Sequence, residues 1–307
     1  MDGPLADRRR GTAWAVTLAM LTVAVAPSWA QAPGAAKAEG RAARLEEMTS
    51  LLRDVRVAEP AHPERGPSPL RPEPLHRWTD PTRELSDGGL WAFGKSGRPV
   101  ALATMEIYGG DPKSGPVWAC ELISLAPGPL AAEAGWNLFI PPERKVPGPA
   151  TPLKWAPKKP GIVFEALPGA PAPAATEAER LRQMKALAAR FSAYQAVPGG
   201  AGGGTRYELR LLPRPTHRYA DPASGLVDGA IFLLVYGTNP ELLLFVEARK
   251  PAGGAGPAAW SFGCARLSTA ALSVSLDGRE TWTRPFAQEP DPEEPYYFVR
   301  TARPAKE

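Results

Sequence analysis

The chain has 307 residues, of which 44% are apolar and 22% charged, a balance that sustains a buried core and excludes an intrinsically disordered chain. Proline and glycine number 37 and 30, which predicts many turns and short elements in place of long helices. The formal net charge is only +4, with no long basic run beyond the N-terminus, so the footprint of a nucleic-acid binder is absent.

At the N-terminus Arg8, Arg9 and Arg10 precede an apolar run from Gly11 to Ala26, and "SWAQA" follows Pro27. Ser28 and Ala30 are the small residues that a signal peptidase reads, so residues 1–30 are expected to be a secretory signal peptide cut before Gln31. The run is shorter than the ~20 residues that a spanning helix needs. The expected location is therefore periplasmic or extracellular, with no membrane span after signal removal and an envelope partner in view.

A helix is predicted over 40–56, where Leu45, Met48, Leu51, Leu52 and Val55 form one stripe. A proline-rich linker follows over 57–69, and a sheet over 70–165. Within that sheet 89–94 reads as a central strand, and the turn "KSGRP" returns the chain through 100–108. On the return strand Ala101, Ala103, Met105 and Ile107 share the core face, which places Glu106 on the opposite face beside Leu102. Further strands are predicted over 118–125 and near 153–155 and 162–164. The segment 166–175, rich in proline and alanine, is a linker.

A second set begins with a helix over 176–194, where Thr176 and Glu179 form a capping box and Leu181, Met184, Leu187, Ala188 and Phe191 form the stripe. A glycine-rich linker over 195–205 leads into a sheet over 206–300. Its central strand is "AIFLLVY", its turn "YGTNP", and its return strand carries Leu242, Leu244, Val246 and Ala248 on one face and Leu243, Phe245 and Glu247 on the other. Strands follow over 260–267, 272–276 and 296–299.

Residues 70–108 slid against 211–249 without a gap give 13 identities in 39 positions, where ordinary composition gives roughly two or three. "HRWTDP" and "HRYADP" are the clearest matched pair, and Cys120 and Cys264 also correspond. The expectation is an α+β protein made of two tandem copies, 31–165 and 176–307, each a helix plus an antiparallel sheet, related by internal duplication, with a pseudo-two-fold axis as one arrangement of the copies. A disulfide between the cysteines needs Cα atoms within about 7 Å; two buried thiols in equivalent cores is the preferred reading.

The N-terminal pattern, "PEPLHRWTDP", "LRLLPRPTHRYADP" and "DGAIFLLVYGTNPELLLFVEARK" resemble a family of exported proteins of planctomycete bacteria that carries no assigned activity. The resemblance spans most of the chain after residue 30. It implies a recurring two-part extracytoplasmic fold and no particular chemistry.

The strong catalytic and cofactor motifs, among them HExxH, CxxC, GxSxG and the Walker loop, are missing, and no cofactor is expected. Three histidines exist, His62, His76 and His217. A hydrolytic reading takes His76 as base, Asp80 or Asp87 as its orienter and Ser124 as nucleophile, or His217, Asp221 and Ser268 in the second copy. A metal reading gathers His76, His217, Asp80 and Asp221 at an axis between the copies. Against both stands the presence of His, Arg, Asp and Glu in each copy, as a folding role requires. On that role Arg77 and Arg218 lie on Trp78 and Tyr219 and fork to Asp80 and Asp221, bracing the corner where each sheet begins. The sequence thus favours a non-catalytic binding or assembly module of the envelope or exterior over a secreted hydrolase.

Overall fold

Alternating apolar side chains along 101–107 and 242–248 turn one face of a strand toward a core, and both stretches are strands in the computed structural model. The structure describes residues 33–109, 117–138, 151–197, 204–251 and 256–302. The expected signal peptide and the middle of the glycine-rich linker lie outside the described residues.

Helix α1 (Pro33–Arg53) leads into β1 (Arg56–Ala58), and β2 (His76–Asp80) follows the proline-rich stretch. A hairpin of β3 (Leu85–Phe93) and β4 (Ala101–Tyr108) comes next, with β5 (Val117–Ser124) alongside β4. β6 (Ala131–Leu138), β7 (Thr151–Trp155) and β8 (Phe164–Ala166) complete this part of the chain. Helix α2 (Glu177–Ala188) starts on the predicted cap, with the Thr176 hydroxyl oxygen accepting from the Glu179 N–H at 3.3 Å. Then come β9 (Phe191–Val197), β10 (Thr205–Leu211), β11 (His217–Asp221), the hairpin β12 (Leu226–Tyr236) and β13 (Asn239–Arg249), and β14 (Ala259–Arg266). The last strands are β15 (Ala271–Leu276), β16 (Arg279–Arg284) and β17 (Tyr296–Ala302).

The expectation of two tandem α+β units is overturned. Among the described residues seventeen strands stand against two α-helices, and the strands pair antiparallel, so the protein is mostly antiparallel β. One reason is local: the helix expected to run to 194 stops at Ala188, and Phe191–Val197 is strand β9, because alternate side chains there bury Phe191, Ala193 and Gln195 against the sheet. Segments read as linkers contribute β1 and part of β9 in the same way.

The other reason is long-range. The sheets run in the orders β1-β6-β7, β17-β5-β4-β3-β2, and β16-β15-β9-β10-β12-β13-β14-β8 with β11 also on β12. β8, from the first part of the chain, pairs with β14 (Phe164 opposite Gly263), while β17, from the last, pairs with β5 (Val299 opposite Cys120). Each large sheet therefore takes its edge strand from the other half, which closes an otherwise open edge and joins Gly40–Glu307 into one unit.

Three cores follow from the strand faces. Met48 and Leu52 of α1, with Val55 just beyond its end, pack with Ala101, Ala103, Met105 and Ile107. Met184 and Leu187 of α2 pack with Leu242, Leu244 and Val246, and with Leu272 and Val274 from the far end of the same sheet, so the nine-stranded sheet curls around α2. The outward faces then pack on each other: Leu90, Leu102 and Ile123 meet Ile231, Leu243 and Phe245 between the two large sheets. Cys120 and Cys264 are free thiols buried in the two helix-covered cores.

Candidate functional site

The repeated segment builds a corner. Arg77 forks to Asp87, Nε at 2.8 Å and Nη2 at 2.6 Å, and the same carboxylate holds Arg44 of α1 at 3.0 Å. The second corner repeats it: Arg218 reaches Asp228 at 2.9 and 2.5 Å, and Arg180 of α2 adds a third bond at 2.8 Å. Asp87 and Asp228 are buried. Each is thus a carboxylate clamp between strand and helix, with charge-assisted bonds from two guanidiniums. The expected partners, Asp80 and Asp221, do other things. Asp80 starts a short 3-10 turn, accepting from the Thr82 N–H at 3.1 Å, and Asp221 begins the corresponding turn without a side-chain cap.

Stacking on the aromatics falls to the histidines. His76 lies on Trp78 and His217 on Tyr219, with ring centroids 5.7 Å apart in both pairs. Burial lowers the pKa of His76 and, joined by the charge of Arg71, that of His217 to about 4; Arg71 Nη1 lies 3.0 Å from His217 Nε2. Both rings are neutral at physiological pH. Trp78 and Tyr219 in turn lie across Gly88 and Gly229, where a Cβ would meet the ring at 2.8 and 2.7 Å. "DG" follows the corner because only hydrogen fits beneath the ring.

The candidate catalytic sets do not converge. Among the described residues no hydrogen bond joins His76 to Asp80 or Ser124, or His217 to Asp221 or Ser268, and no three His, Cys, Asp or Glu side chains gather as a metal site. The Ser124 hydroxyl is fully buried without a partner, against Gly161. Ser268 alone among the candidates lines a cavity that also holds Glu241 in its wall.

That cavity, about 370 Å³, is lined by residues of both large sheets. Three carboxyls line it: Glu106 on β4, Glu121 on β5 and Glu241 on β13. Glu106 accepts from the Tyr108 hydroxyl at 2.9 Å. Glu121 accepts from Tyr296 at 2.5 Å and from Thr104 at 3.3 Å. Glu241 takes Arg83 at 2.7 Å and the Asn239 amide at 3.2 Å, while Asn239 accepts from the Trp78 indole at 2.8 Å. Tyr207 and Tyr236, ring centroids 4.6 Å apart, add aromatic wall, and exposed Arg300 stands at the edge. Gln195, 2% exposed, also lines the cavity, and its buried side-chain nitrogen has no hydrogen-bond partner.

Burial pushes Glu106 up to about 7, with the charge of Glu241 adding to the push and the Tyr108 hydroxyl opposing it. Burial and the charge of Glu106 push Glu121 up to about 8. Glu241 is also raised by burial, held back by Arg83. Like-charged groups withdrawn from water share protons instead of ionising together, so near neutral pH the cavity presents carboxyl donors as well as carboxylates.

Of these residues only Glu106 carried a signal in the sequence, as an acid on the outward face of an apolar strand. Glu121, Glu241, Asn239 and Gln195 reach the cavity from strands that only the pairing of β17 with β5 and the stacking of the sheets bring together. Compared with family models, with curated proteins and with solved structures, the chain matches none, so the site is read from its own geometry.

Proposed function

We propose that the protein is exported and acts as a non-catalytic binding module of the cell envelope or exterior, with the cavity between the two large sheets as its binding site. The observation that carries the reading is a concave, partly aromatic pocket where polar groups converge from strands of both large sheets, the usual form of a small-ligand site. Of the His/Asp/Ser sets that a hydrolase needs, only Ser268 lines the cavity and the rest are spent on corners and cores, which supports binding over turnover. Export is supported by Arg8–Arg10, the apolar run and the Ser28–Ala30 pattern, and by the resemblance to exported planctomycete proteins. Among the described residues no helix is long and apolar enough to cross a membrane.

The test is a thermal-shift panel of amines, amino acids, monosaccharides and carboxylates against the full chain and a cavity-filled Ala119→Phe variant, its fold checked by circular dichroism. At least one class is expected to stabilise the wild type and not the filled variant. Turnover of a chromogenic ester that disappears in Ser124→Ala or Ser268→Ala would instead establish the hydrolase, and a panel without any shift would remove the binding site. Intact mass of the exported protein is expected to match a start at Gln31; a start many residues away contradicts the signal-peptide reading.

A further inference from the structure

Glu106 and Glu247 occupy corresponding positions, 141 residues apart, in the same local setting. Across the first sheet Trp78, Gly88, Glu106 and Ala119 stand in one row, and across the second Tyr219, Gly229, Glu247 and Ser261 do. Their neighbours differ in a consistent direction. Glu247 accepts from Arg98 at 3.2 Å and Arg249 at 3.4 Å, together with the Tyr219 hydroxyl at 2.9 Å, and the Arg98 guanidinium lies over the Phe164 ring at 4.7 Å. At the positions corresponding to Arg98 and Arg249, the Glu106 side has Asn239 and Tyr108, both uncharged. It also has Glu241 where the other side has Val100, and Glu121 where the matched "CARLS" segment has Ala265. One side has two guanidiniums in contact with a single acid. The other has two further acids, one contacting guanidinium, Arg83 on Glu241, and a cavity.

We infer that the cavity binds a small organic cation, a guanidinium or primary ammonium bearing a hydrogen-bond acceptor, whose charge sits beside Glu106 as Arg98 and Arg249 sit beside Glu247. The inference rests on the reading of the cavity as a binding site. Its chemistry is already displayed once in the molecule, since the same strand carboxylate at Glu247 coordinates guanidiniums. Gln195, a residue of the cavity wall, has a buried amide nitrogen without a hydrogen-bond partner, a second observation at the site, because a buried donor without an acceptor is costly and an acceptor on the ligand would satisfy it. The volume, about 370 Å³, suits a molecule of the size of arginine.

Binding must be linked to protons. Glu106 is faced by Tyr108 on its own strand, by Trp78 from β2, by Glu121 from β5, by Arg300 from β17, and by Glu241 with its Arg83 from across the cavity. Below neutral pH it holds a proton, which an arriving cation displaces, so affinity rises as pH rises through about 7.

Isothermal titration calorimetry of the full chain with L-arginine and with agmatine, at constant ionic strength, tests this. Expected at pH 8 is binding of both, with L-arginine the tighter, and at pH 6 an affinity about tenfold lower, as titration of one carboxyl near pH 7 requires. Glu106→Gln is expected to abolish binding. Tyr108→Arg, which installs the guanidinium that Arg249 supplies beside Glu247, is expected to abolish it too while raising the melting temperature at pH 8. Unchanged affinity at pH 6, or in both variants, overturns the cation. If neither compound binds while another class from the panel stabilises the wild type and not Ala119→Phe, the cation falls and the binding reading stands; if no class does, both fall.

Discussion

Glu106 and Glu247 lie on return strands of like sequence, each across from a glycine covered by an aromatic ring, yet their environments are opposite in sign. Glu247 is enclosed by Arg98 and Arg249 and is 1% exposed, so its charge is matched inside the fold. Glu106 faces two more carboxyls across a cavity and holds a proton to near neutral pH. The corners beside them, by contrast, agree atom for atom in kind: one aspartate, one strand arginine, one helix arginine. Where like sequence serves the fold, its partners are the same on both sides. Where the partners diverge, at positions 98 and 239 and at 108 and 249, the Glu106 side lines a cavity.

The largest effects are expected at the corners, where the two regions should behave alike. Arg77→Ala and Arg218→Ala each leave a buried aspartate with one guanidinium fewer, and each is expected to cost about 3 kcal/mol in urea melts, at the low end for a broken buried pair because Arg44 and Arg180 remain. His76→Ala, which loses ring stacking, and His217→Ala, which loses ring stacking and its contact with Arg71, are each expected to cost about 1 kcal/mol. Arginine variants that differ by more than a factor of two would break the equivalence of the corners.

The carboxylates should separate. Glu247→Gln leaves Arg98 and Arg249 without their anion and is expected to cost about 2 kcal/mol at pH 7. Glu106→Gln is expected to stabilise by about 1 kcal/mol at pH 8. The sign follows from linkage: the folded pKa of Glu106 is raised from 4.5 to about 7, so the native state binds more protons between those values, and stability is full below the lower one and declines as pH rises toward the upper. Melting curves from pH 5 to 8 should show that decline in the wild type and a flatter profile in Glu106→Gln. Equal costs for the two glutamines would erase the distinction.

Gly88→Ala and Gly229→Ala sharpen the shared part, since both place a methyl against the ring of Trp78 or Tyr219; about 1 kcal/mol or more is expected for each, as for overpacking at other close contacts. The smallest signal is a count. Titration in denaturant without reductant should find two thiols, Cys120 and Cys264, because both are free in separate cores; finding none would mean that the cores exchange a bridge.

Much of the local structure was legible. Period-two alternation placed the core faces of β4 and β13, the Thr176–Glu179 pair placed the start of α2, and the two turns placed the hairpins, because each of these depends on residues a few positions apart. The partner of Arg77 was not legible. A nearby acid, Asp80, was the natural choice along the chain, but antiparallel pairing sets Trp78 opposite Gly88 and so brings Asp87 beside Arg77. The end of α2 was misread because Phe191 continues a helical stripe as well as it begins a strand, and only the pairing of β9 with β10 and β15 decides between them.

The sequence by itself determined the two central hairpins, the start of α2, the duplicated wording of the corner and the burial of both thiols, since apolar period, turn chemistry and side-chain size act locally. Tertiary structure alone decided which sheet each strand joins. It sent β8 to β14 and β17 to β5, made one mostly-β body of what reads as two tandem units, and drew Glu106, Glu121 and Glu241 from separate strands to one cavity. The physical reason is that edge pairing and charge matching depend on which surfaces meet across the fold, and residues up to 175 positions apart, such as Glu121 and Tyr296, have no way to announce that meeting in the chain.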